Sequence, residues 1–132
     1  MKPILHLRTS LAQLSPDEGL ILFHLKKKSY TYRQHAEFDH QKKTFCPRTL
    51  IENEFPVSDL VFPQNFEMYM DHLHHLDLAG VWQNGNQEPT YAVQPGVQTG
   101  VNINSVIRLQ SFGNLFARAC VPDVLPTNSM AN

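Results

Sequence analysis

The stretch FPQNFEMYMDHLHHLDLAGVW, residues 62–82, carries the reading of the fold. From Pro63 to about Leu76 the apolar residues Phe66, Tyr69, Met70, Leu73 and Leu76 fall in one sector of a helical wheel, which predicts an amphipathic helix. The opposite sector presents Gln64, Glu67, Met68, Asp71 and His75, with His72 and His74 on its flanks. Gly80 is the expected stop, and Val81-Trp82 the start of a strand. A helix running into a strand has the look of a groove-reading helix followed by a wing. Its charge does not suit a DNA groove, because between Arg48 and Arg108 there is no lysine or arginine.

Working outward, SPDE at residues 15–18 is a helix-start signal: Ser15 to cap, Pro16 for the first helical position, Glu18 to reach back. Leu11, Leu14, Ile21, Leu22 and Leu25 recur at helical spacing, predicting a helix over about 15–27 with one buried face, and ILHLRTSLAQL (4–14) fits a short helix before it. Lys26, Lys27 and Lys28 suit the negative end of the helix dipole. SYTYRQ alternates like a strand; a hairpin and a short helix near 47–54 are expected after it, with a long loop as the alternative. Asn84-Gly85 signals a hairpin turn, strands follow near 90–94 and 101–109, and Phe112, Leu115, Phe116, Ala119 and Cys120 mark a closing helix with Cys120 in the core. This order predicts an α+β, winged-helix-like domain, its helices packed on a small antiparallel sheet or wing. A chain of 132 residues fits one such domain, placed at 1–122, followed by a flexible tail over 123–132.

Three motifs together bear a family resemblance. LAQLSPDEGLILFHL (11–25) resembles a conserved opening of the abortive-infection alpha family. VIRLQSFGNLFARAC (106–120) is similar to that family's closing motif, a strand followed by a small-residue turn, Phe-Gly, and an apolar helix ending in Ala-Cys. The Leu-x-x-x-Gly element at Leu76 to Gly80 completes the match. The chain departs at Gln110 and Ser111, where the family tends to have Thr and a proline-like residue, which bears on the cap of the last helix. Family members are longer at the amino end, so the chain reads as a carboxy-terminal fragment or a short relative. The resemblance implies bacterial defence against phage and brings no catalytic residues with it.

Composition narrows the function. At 42% apolar and 17% charged the chain is ordinary for a globular protein, and its longest apolar run, Leu20 to Phe23, is far short of a membrane span. A cytoplasmic protein is expected, with Cys46 and Cys120 as thiols. Charge is segregated: seven basic residues (Lys26, Lys27, Lys28, Arg33, Lys42, Lys43, Arg48) precede seven acids (Glu52, Glu54, Asp59, Glu67, Asp71, Asp77, Glu88). Affinity for nucleic acid comes from cations on phosphates, and base readout favours Arg, Lys, Asn and Gln. An acidic helix is a poor groove reader, so the expected partner is a protein, bound through Glu67, Met68, Asp71, His72 and His75. DNA is the second choice, through Lys26, Lys27, Lys28, Arg33, Lys42 and Lys43. A homodimer through terminal helices is the expected form of self-association.

Chemistry finds little purchase. His72 and His75 can share a helix face, but zinc needs three or four ligands, and Asp39, His40 and Cys46 have no fixed relation to that helix. Neither Cys-x-x-Cys nor His-Glu-x-x-His occurs, and histidines at a helix carboxyl end already suit its dipole. No Gly-x-Ser-x-Gly and no phosphate-cradling glycine loop is present. Cys46 in its basic setting near His40 is the one nucleophile to weigh. No enzyme activity, metal or cofactor is expected.

Overall fold

The computed structural model describes residues 14–93 and 96–124. It is an α+β fold with three helices and six antiparallel strands, arranged as two compact units: residues 1–28, 57–80 and 108–132 in the first, 29–56 and 81–107 in the second. The expected helix over 4–14 and the tail from 125 onward lie outside the described residues.

The first unit is helical. Helix α1 (Pro16–Lys27) starts as its sequence demands: the Ser15 hydroxyl accepts the Glu18 N–H, and Glu18 Oε1 accepts the Ser15 N–H at 2.9 Å. Such a cap is worth about 1 kcal/mol. Helix α2 (Phe66–His75) follows a short 3-10 turn at Pro63–Asn65, and helix α3 (Ser111–Cys120) closes the unit. Packing of α1 on α2 and α3 is carried by Ile21, Leu22 and Leu25 meeting a core that includes Leu73, Leu78, Phe116 and Ala117, all buried.

Two expectations about this unit are corrected. Gly80 does not end α2; it lies inside strand β4 (Ala79–Gln83). The stop is Asp77, at φ 61°: its N–H donates to the His74 carbonyl, and the Leu78 N–H donates to that of Leu73. This is a Schellman closure with aspartate where glycine is usual. Cys120 is exposed rather than buried, because Gly113, Phe116 and Ala117 form the inward face of α3.

The second unit holds the sheet. Strands β1 (Tyr30–Asp39) and β6 (Gln98–Leu109) pair antiparallel at its centre. β2 (Thr44–Phe45) and β3 (Thr49–Asn53) pair with the outer side of β1; β4 and β5 (Glu88–Tyr91) pair with the outer side of β6. The short helix expected near 47–54 is thus strand β3, where β-branched Thr49 and Ile51 favour an extended chain. The turn at Asn84-Gly85 also differs from expectation, joining two strands that both pair with β6. The hairpin proper is β5–β6. Alternation sorts the two central strands: Tyr32, Ala36, Val101, Ile103 and Ser105 are buried, whereas Arg33 and His35 stand opposite Asn104 and Asn102. The β1–β2 turn is an Asx turn, with Asp39 Oδ1 accepting the N–H groups of Gln41 and Lys42.

Candidate interaction surface

Helix α2 is held by its buried side and so presents the other. Phe66, Tyr69, Met70 and Leu73 face inward, each contributing roughly 1.5–3 kcal/mol on burial. Glu67, Met68, Asp71 and His75 are exposed, Met68 to 58%. Four of the five expected contact residues therefore share one open, acidic face. The fifth, His72, stands at its margin, half-buried, with Nδ1 2.5 Å from Oε2 of the buried Glu18.

The residues that hold α2 in place went unread in the sequence. Asp17 is 3% exposed, and its carboxylate accepts the N–H of Val61 at 2.8 Å, the N–H of Phe62 at 2.9 Å and the Tyr69 hydroxyl at 2.9 Å. Burial pushes the Asp17 carboxyl up, but these three donors more than offset it, leaving it below its ordinary value. Burial, and then its bond to Asp17, raise the Tyr69 hydroxyl. Aspartate in a first helical turn reads as a dipole partner at the surface; nothing local marks it as the anchor of a segment more than forty residues away. His24 Nε2 lies 3.2 Å from Asp59, tying α1 to the same segment.

The basic residues are dispersed by the fold. Lys26 Nζ donates to the Val121 carbonyl at 2.6 Å and pairs with Asp123 at 2.9 Å, so it closes the end of α3. Lys27 lies over the Phe23 ring, 4.9 Å from its centroid. Arg33 Nε donates to Asn104 Oδ1 at 3.0 Å and its guanidinium lies 3.8 Å from Glu52. Lys28 is exposed where α1 ends, while Lys42 and Lys43 are exposed in the β1–β2 turn of the other unit. His40 Nε2 donates to the Gln98 carbonyl at 2.7 Å, and Cys46 is an exposed free thiol. Among the described residues no group of three or more His, Cys, Asp and Glu is arranged to hold a metal ion, and no helix is long and apolar enough to cross a membrane.

The first unit also contains an apolar cavity of about 410 Å³, lined by Leu20, Phe23, Val61, Phe116, Cys120 and Val121 among others. Val61 and Phe62 are exposed beside it, at the entrance to α2.

These features define an α+β protein whose middle helix is anchored from below by buried acids and turns an acidic, methionine-bearing face to solvent. The chain belongs to the abortive infection alpha family, which matches it over residues 8–120. No curated protein and no solved structure matches it.

Proposed function

We propose that this chain is a non-catalytic, cytoplasmic protein-interaction module in bacterial defence against phage, and that it docks its partner on the outward face of α2. The observation that carries this reading is the open face itself: Glu67, Met68, Asp71 and His75 exposed on a helix whose opposite side is fully used in packing. Met68 is an adaptable contact, and the flanking acids favour a partner with a basic surface. The winged-helix-like reading belongs to this proposal: α2 takes the place of a reading helix and runs through the Asp77 closure into β4. A face rich in carboxylates repels phosphate, so a protein suits it better than DNA.

The test is efficiency of plating of phage on cells expressing the chain. Met68→Asp together with Glu67→Lys and Asp71→Lys leaves the buried side untouched, so thermal stability should change by less than about 0.5 kcal/mol, while protection is lost. Protection retained by this triple variant, or lost instead on substituting Lys27, Lys28, Lys42 and Lys43, would reject the α2 face.

A further inference from the structure

His72 and His75 lie three residues apart on α2, which makes them neighbours on the helix surface. In both, Nδ1 is turned onto an oxygen. His72 Nδ1 lies 2.5 Å from Glu18 Oε2, and His75 Nδ1 lies 2.8 Å from the Asp71 backbone carbonyl. A carbonyl can only accept, and so can an ionised carboxylate, so each ring holds its proton on Nδ1. Each Nε2 then keeps a lone pair. Among the described residues neither Nε2 has a partner.

This is the preparation that metal-bound imidazoles show. Donation of Nδ1–H to a carboxylate or a backbone carbonyl sets the tautomer, fixes the ring and raises the basicity of the opposite nitrogen. The anchor under His72 is itself rigid, because Glu18 is buried and its other oxygen is engaged by the Ser15 N–H in the helix cap. The favourable dipole at a helix carboxyl end rewards a protonated ring, but it does not require either Nδ1 to be docked on an oxygen.

We infer that His72 and His75 form a two-histidine clamp that binds a divalent transition-metal ion of the zinc or copper type through their Nε2 atoms. Imidazole suits these ions over magnesium or calcium, which prefer oxygen. The described residues supply no third ligand to the group, so water completes the coordination sphere of the isolated chain. The inference stands on the ring geometry and does not depend on what docks against α2.

Two measurements on the chelator-stripped full chain test it. Long-range proton–nitrogen correlation spectra of the imidazoles should show both rings as Nδ1–H tautomers, and zinc chloride should shift both Nε2 resonances. In calorimetric titration with zinc, His75→Ala should abolish the binding heat without changing the melting temperature of the metal-free protein, since His75 is exposed. Glu18→Gln should weaken binding about 10–100-fold, and His40→Gln should leave it unchanged. Nε2–H tautomers, or a zinc isotherm that His75→Ala does not alter, would overturn the clamp.

Discussion

Gly113 and Gly19 both sit in helices, and their surroundings give them opposite roles. A Cβ on Gly113 would lie 1.7 Å from the Leu78 carbonyl oxygen, which also accepts the Gln110 N–H. Only glycine lets the start of α3 approach that carbonyl, so Gly113→Ala should cost at least about 1–3 kcal/mol as an overpacking change. Around Gly19 nothing lies within 4 Å of an added Cβ, so Gly19→Ala should stabilise by roughly 0.5–1 kcal/mol through helix propensity. Urea unfolding of the two variants measures both signs. Asp17 gives a third prediction at this scale. Its folded carboxyl titrates below its ordinary value, so its contribution is fully present above the unfolded pKa of about 3.9 and is lost as pH falls through the folded value. Asp17→Asn should cost roughly 2 kcal/mol at neutral pH and flatten the acid limb of a stability–pH curve recorded by circular dichroism. The Phe-Gly pair was legible in the sequence as part of a motif; that its glycine faces a carbonyl rather than a turn is visible only once α3 is docked.

At the scale of elements, the ends of helices separate what was readable from what was not. The start of α1 was written locally, because a capping box is made by residues three apart. The end of α2 was harder to read. Gly80 carried the usual signal, yet the left-handed residue is Asp77, and Gly80 is drawn into β4 because Leu78 and Ala79 are already buried. Aspartate tolerates this conformation better than most residues but worse than glycine. Asp77→Gly should therefore raise the melting temperature, with a gain of about 0.5–1 kcal/mol; a fall would show that the Asp77 side chain contributes something the backbone closure does not explain. Segment 49–53 was misread for a related reason: Pro47 and Pro56 bound a stretch too short for periodicity to tell strand from helix, and only the pairing with β1 decides it.

For the whole molecule, charge is the property to examine. The chain carries 11 Lys and Arg against 12 Asp and Glu, and their segregation along the sequence invites a basic docking face. The fold dissolves much of that face by giving Lys26 to the end of α3 and Arg33 to a row of Asn104 and Glu52 on the sheet. Labelled duplex and single-stranded DNA should accordingly show no anisotropy change at low salt. Binding that falls steeply with salt and vanishes on substituting Lys28, Lys42 and Lys43 would restore the nucleic-acid reading.

By itself the sequence determined the elements whose causes are local: the capped α1, the amphipathic α2 with its acidic outer face, the closing α3, and the alternation of β1 and β6. These follow from side-chain periodicity and from caps that act within one helical turn. Tertiary structure alone decided which partners distant residues take. It turned Asp17 and Glu18 from dipole ornaments into buried anchors for Val61, Phe62, Tyr69 and His72. It also set the tautomers of His72 and His75 and withdrew Lys26 and Arg33 from the surface charge. The reason is physical: a buried polar group must be matched by a partner, and which partner arrives is a property of packing, not of spacing along the chain.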